Sequence, residues 1–195
     1  MTARRTALLL VISVLSLAGC SLLPQQPPPA SVHDFGPPAG GTSGQQQAAT
    51  PNGPAVRASA PDWLGSDAIL YRFLFDNATQ LRRYARNRWA APPAELLAER
   101  VRVDLQQGKG GTPGILNLRL QRFEQDFTSH KQAHVYVRVV ASLHGHDGHL
   151  EKRRVFQDTR ACDSADVAGG IRALSAAADA VAGDIAAWAT SSSAG

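Results

Sequence analysis

From Ala133 to Leu143 apolar and polar residues alternate strictly. Val135, Val137, Val139, Ala141 and Leu143 share one face, and His134, Tyr136, Arg138 and Ser142 share the other. That period of two predicts a strand buried on one side. The loop His144-Gly145-His146-Asp147-Gly148-His149 follows, with Asp-Gly as a hairpin signal, and Leu150 to Gln157 reads as the returning strand. Upstream, Ile115 to Phe127 predicts a long strand. Leu116, Leu118 and Leu120 take one parity while Phe123 and Phe127 take the other, so a bulge is expected near Gln121-Arg122. Pro54 to Ala60 predicts a first strand ended by Pro61, and Trp63-Leu64-Gly65 begins a turn. Ala68 to Phe75 is apolar on both faces around Arg72, as a strand covered on two sides would be. After a turn at Asp76-Asn77, Leu81 to Trp89 predicts an edge strand whose charges discourage unwanted pairing.

Two stretches switch to a helical period. Pro92-Pro93 suits a first helical turn, and Ala94, Leu97, Ala98, Val101 and Leu105 then form one apolar stripe. Glu95 and Glu99 lie off that stripe in the half where the helix dipole favours acids. The glycine-rich loop from Gly108 to Gly114 ends this helix. From Asp166 to Ala189, Val167, Ile171, Leu174, Ala178, Val181, Ile185 and Trp188 alternate spacings of four and three, a narrow seam on a long helix. Asp163 or Ser164 is a suitable cap for it. Three strands, a helix, three strands and a helix imply an α+β two-layer domain over 54–190: an antiparallel or mixed sheet with two amphipathic helices on one face, followed by a disordered tail at 191–195.

Ahead of this body the composition changes. Between Ser21 and Val56 there is no Lys or Arg, a single carboxylate at Asp34, and eight of the chain's twelve prolines. Such a stretch buries too little apolar surface to offset its ordering entropy, so 20–53 is expected to be a tether. As a coil of some 35 residues it would reach about 30–35 Å on average. One island, Val32-His33-Asp34-Phe35-Gly36, interrupts it as a potential short strand.

Residues 1–19 carry Arg4 and Arg5, an apolar run from Ala7 to Leu17, and a small-residue exit, the layout of a secretory signal peptide. The run is shorter than the ~20 apolar residues a membrane span requires. Leu17-Ala18-Gly19-Cys20 resembles the lipobox of bacterial lipoproteins. That resemblance implies cleavage before Cys20, a diacylglyceryl thioether on its sulfur, and acylation of the new amino terminus, with palmitate as a typical chain. Ser21, in place of the Asp that favours inner-membrane retention in such proteins, points to the periplasmic face of the outer membrane. Without Arg4 and Arg5 the remaining 18 basic residues stand against 16 acidic ones, so bulk attraction to nucleic acid is not implied.

The chain lacks a Gly-x-Ser-x-Gly elbow, a His-Glu-x-x-His pair and a Cys-x-x-Cys pair. With Cys20 acylated, Cys162 is a lone thiol, better read as a small apolar residue than as a nucleophile. His144, His146 and His149 invite a metal reading, but the tight hairpin already accounts for this loop's glycines, and no metal or cofactor is expected. Arg82, Arg83, Arg86 and Arg88 interleave with Tyr84 and Trp89. This is either a solvated edge strand or a docking face for a protein or for anionic headgroups; Trp63, Arg82, Tyr84, Arg86, Arg88 and Trp89 are its candidate residues.

The run Tyr71-Arg72-Phe73, the block from Leu81 to Leu97 with Arg88-Trp89-Ala90-Ala91-Pro92-Pro93 at its centre, the pattern Leu118-x-Leu120-x-x-Phe123-Glu124-Gln125-x-Phe127 and the terminal helix ending in Trp188 together resemble the ABC-type transport auxiliary lipoproteins, the PqiC-like family. The resemblance covers about 54–189 and includes the lipobox; the long Pro/Gln-rich tether and the histidine loop depart from it. It implies a non-catalytic lipoprotein of the outer membrane. Its partners would be an MCE-domain protein and an ABC permease/ATPase pair moving lipids across the envelope, with assembly as a homo-oligomeric ring in some members. A structural or assembly lipoprotein of the cell envelope is the alternative reading.

Overall fold

The computed structural model describes residues 29–37, 53–107 and 113–191. Its strands are β1 (Ser31–His33), β2 (Ala55–Ser59), β3 (Ala68–Phe73), β4 (Arg82–Trp89), β5 (Ile115–Ser129), β6 (Gln132–His144) and β7 (Leu150–Ala161). Its helices are α1 (Leu74–Asn77), α2 (Pro93–Gln107) and α3 (Val167–Thr190). The strands form one mixed sheet in the order β1-β4-β3-β5-β6-β7. Two strands share one edge of β5: β2 runs parallel to Ile115–Arg119, and β3 runs parallel to Gln125–Phe127. The helices cover one face, giving the α+β two-layer arrangement.

Most of the expected pattern is present. Val135, Val137, Val139, Ala141 and Leu143 are all buried, and so are Ala94, Leu97, Ala98, Val101 and Leu105 on α2. The pairing of β5 with β6 slips between Leu120 and Arg122, at the expected bulge, so Leu120 and Phe123 both reach the core despite opposite parity. In the β6–β7 hairpin, Gly145 N donates to His149 O at 3.0 Å, and Gly148 adopts φ 81°, a left-handed conformation natural to glycine. The α3 seam is broader than its large residues alone suggest. Ala173, Ala177, Ala182, Ala186 and Ala189 are buried beside Leu174, Val181 and Ile185, and these small side chains let α3 lie close to the sheet and α2.

Three expectations need correction. The strand from Ala68 ends at Phe73, because Leu74–Asn77 coils into α1. The Asn77 side chain fixes that turn by accepting from Thr79 N at 3.1 Å and from Thr79 Oγ1 at 2.7 Å. The helix α3 is capped by Asp166, whose carboxylate accepts from Gly169 N at 2.8 Å. Neither of the expected caps serves: Asp163 instead holds Arg172, and Ser164 Oγ donates to Asp166.

The third correction concerns the tether, which is not continuous over 20–53. The island at Val32–Gly36 supplies β1, pairing Ser31, Val32 and His33 with Asn87, Arg88 and Trp89. The strand β4 is therefore an edge only over its first half. Phe35 is 7% exposed and enters the core edge-on to Trp89 (5.4 Å) and stacked on Phe123 (5.6 Å). Arg100 Nη2 donates to Gly36 O at 2.6 Å and closes the strap from the α2 side. Burying a phenylalanine side chain contributes roughly 1.5–3 kcal/mol, enough to hold so short a segment in place.

Candidate functional site: the basic strand and the aromatic end of the sheet

The strand β4 turns both Tyr84 and Trp89 inward despite their opposite parity, because its pairing with β3 shifts register between Ala68 and Leu70. Tyr84 faces the helix layer, where its hydroxyl donates to Gln125 Oε1 at 2.8 Å, and burial pushes its pKa well above the usual phenol value. Gln125 is fully buried and joins three elements. Its Nε2 donates to Asp166 O at 3.0 Å and approaches Cys162 Sγ at 3.5 Å, while Gly170 lies so close that a Cβ there would collide with the Gln125 amide. The same burial raises the Cys162 thiol, so this cysteine is a packed neutral group.

Trp89, expected as a docking anchor, is 1% exposed and packs on Phe35 and Phe123. It is a core residue, and it offers no surface to a partner. Arg88 is exposed and lies 4.0 Å from Asp67, and Arg83 and Arg86 are exposed. Arg82 lies over the Phe73 ring at 5.0 Å, with its Nη2 3.5 Å from Asp76. Trp63, 42% exposed, sits in the single turn between β2 and β3, on a different element from the arginines. Cys20 lies outside the described residues, as does most of the glycine-rich loop after α2.

Where β3 ends, the helix layer stops and a line of rings continues past it. Tyr71 packs against Tyr84 at 4.4 Å and Phe73 at 5.3 Å; Phe73 meets Phe127 at 5.1 Å and Phe75 at 5.6 Å; Phe75 in turn meets His130 at 4.6 Å. Leu74 and Phe75 are 38% and 42% exposed. The sequence reading placed Phe75 inside a strand and so did not see it as surface. The signal available was the Asp76-Asn77 turn directly after it.

The sheet's helix-free side carries a charge network that sequence reasoning also missed. Glu124, 1% exposed, accepts from Arg72 Nε at 3.1 Å and Arg122 Nε at 2.6 Å; Arg122 also reaches Asp126, and its guanidinium lies 4.4 Å from the Tyr136 ring centre. Burial pushes the Asp126 carboxyl upward against the pull of Arg122. Arg122, Glu124 and Asp126 alternate along β5, which puts them on one face, and that parity was the available clue. Two guanidinium groups face two carboxylates here, so the network holds β3 to β5 by mutual neutralisation.

In the histidine loop, His144 Nδ1 lies 3.1 Å from Asn117 Nδ2, whereas His146 and His149 are exposed. Among the described residues no group of three His, Cys, Asp or Glu side chains is placed to hold a metal ion, and no helix is long and apolar enough to cross a membrane.

Comparisons with known proteins agree with this architecture. The crystal structure of a Xanthomonas campestris protein of the DUF330 family superposes with a TM-score of 0.63 at 23% identity, covering 70% of this chain and 82% of that one. A second crystal structure, of an uncharacterized protein, gives a TM-score of 0.61 at 16% identity, covering 82% of this chain and 98% of that one. At these identities the likeness is one of fold. No curated protein matches the sequence. The family model described as "ABC-type transport auxiliary lipoprotein component" matches residues 41–186, about three quarters of the chain. The chain belongs to the ABC-type transport auxiliary lipoproteins.

Proposed function

We propose that this chain is the acylated, non-catalytic auxiliary subunit of an MCE/ABC-type system that moves lipids between envelope membranes. On this reading it is anchored through Cys20 to the periplasmic face of the outer membrane. The family supplies the coarse assignment, an auxiliary lipoprotein of an ABC-type transport system. The lipobox Leu17-Ala18-Gly19-Cys20 and Ser21 support the anchor and its membrane.

The observation that carries the reading furthest is the seating of Ser31–Gly36 in the body. Only ten residues separate Cys20 from Ser31. The eleven Cα steps between them span at most about 36–40 Å. A domain held that close to a bilayer suits a fixed station at the end of a lipid path. A ring of such domains would seat the end of an MCE tunnel against the membrane, with the partner ATPase supplying energy.

A strain lacking the chain is expected to accumulate misplaced envelope phospholipid. The wild-type gene restores the distribution, and Cys20→Ala, made at equal level with an intact fold, does not. Normal lipid distribution in the deletion strain, or full rescue by Cys20→Ala, would overturn the proposal.

A further inference from the structure

The geometry points to one end of the sheet as a membrane-resting surface: Leu74, Phe75, Arg83 and Lys131 seat the domain on phospholipid headgroups of the leaflet that holds the Cys20 anchor. This inference rests on the acylation of Cys20 proposed above.

The direction of the strap carries the first step. The strand β1 runs parallel to β4 with Ser31 opposite Asn87, so the chain enters from the side on which β4 begins. The end of β3, the turn α1, the β5–β6 hairpin tip at Ser129–Gln132 and the end of β7 all lie on that same side. Tyr71 pairs with Arg82, Phe73 with Phe127, and His134 with Ala161. From Asn87 back to Arg82 is five residues of strand, about 17 Å. The ~36–40 Å upper limit on the chain from Cys20 to Ser31 exceeds that distance. An acylated terminus entering from this side can therefore reach this end of the sheet without turning back. Reaching the opposite end would require the chain to reverse.

The second step is the chemistry exposed there. Leu74 and Phe75 are large apolar side chains standing partly in solvent at the tip, with Phe75 held in place by Phe73 and His130. Lys131, next to His130 at the hairpin tip, and Arg83, near the start of β4 at the same end of the sheet, are exposed, and among the described residues neither forms an ion pair. The carboxylates at this end are engaged, Asp76 with Arg82 and Asp163 with Arg172. Apolar rings beside free cations suit an anionic interface, where rings enter the headgroup boundary and cations meet phosphate. The far end exposes Leu150 beside Asp147 and Glu151, and the direction from which the chain enters is what separates the two ends.

The test uses the full acylated chain in vesicles of phosphatidylethanolamine with a minority of phosphatidylglycerol and a spin-labelled phospholipid. In a Cys162→Ser background, a fluorophore is placed at Lys131→Cys or at His149→Cys. Acylated Cys20 offers no thiol to the label, and intact mass confirms its modification independently. Quenching by the spin-labelled lipid is expected to be at least about threefold stronger at position 131, because an interfacial face sinks 5–10 Å into the headgroup region. Adding Leu74→Ser and Phe75→Ser, which lie outside the core, is expected to remove most of that difference. Equal quenching at the two positions, stronger quenching at 149, or shielding at 131 without quenching would overturn the inference; the last would assign the patch to a protein partner. A mature chain whose intact mass shows no acyl groups at Cys20 would instead sink the anchoring reading on which the inference depends.

Discussion

Phe35 links the N-terminal segment to the folded body. Its ring completes a cluster with Trp89 and Phe123, so removing it leaves a hole that two large rings cannot close. Truncation of a buried phenylalanine costs about 3–5 kcal/mol through lost transfer energy and a residual cavity. Phe35→Ala is expected to lower the unfolding free energy extrapolated from urea melts by that amount. It should also make the chain around Ser31 sensitive to limited proteolysis well below the unfolding transition. A variant as protease-resistant as the wild type would show that β1 pairing alone holds the strap. Gly36 assists at the same point. Its φ of 73° lets the chain turn after Phe35, while its N–H donates to Asp34 Oδ1 at 2.8 Å.

Among the elements, α3 depends most on its first turn, because Gln125 and Asp166 together fix where it begins. Hydrogen bonds from Gly169 N and then Ser164 hold the Asp166 carboxyl below its ordinary range. A carboxylate with a lowered folded-state pKa contributes stability above its unfolded value, and that contribution disappears as pH falls through the folded value. Asp166→Ala is expected to cost about 1 kcal/mol at neutral pH, as the loss of an N-cap does. Wild type and variant should converge as pH falls through the lowered folded-state value of Asp166 and the carboxylate protonates. A gap in urea-melt midpoints that persists at low pH would mean that the carboxylate's charge is not what caps the helix. Asp126, Asp104 and Asp179 act in the opposite sense. Burial raises all three, so the folded state holds their protons more tightly, and their effect on stability worsens as pH rises above ~4.

Long elements were legible in the sequence where one period persisted, as in β6, α2 and α3. Junctions were not. Asp163, Ser164 and Asp166 are all competent caps, and Arg172, nine residues on from Asp163, engages that first one and leaves Asp166 to accept from Gly169 N. The basic run of β4 looked like surface throughout. Trp89 is core because β1 and Phe35 arrive from some fifty residues upstream, and no local pattern shows a long-range partner. The strap precedes the span matched by the family model; its strand character shows in the Val32–Gly36 island, whereas its partners Asn87, Arg88 and Trp89 show only in the fold.

At the scale of the whole molecule, the proposed acylation of Cys20, together with a strap locked into the core after ten intervening residues, would leave the domain little freedom to leave the membrane. The helix layer, the Arg72–Glu124–Arg122–Asp126 network and the packed thiol of Cys162 each serve the fold through internal contacts. The account therefore assigns function to surfaces that hold other components in place. Its central claim is that an acylated form of this chain works as a subunit of a lipid-moving ABC system. The most direct measurement is native mass spectrometry of the tagged full chain, extracted from envelope membranes in mild detergent. The account predicts a mature polypeptide beginning at an acylated Cys20, in stoichiometric complex with an MCE-domain protein. A bare thiol at Cys20, or a fully acylated chain that is always alone, would contradict it.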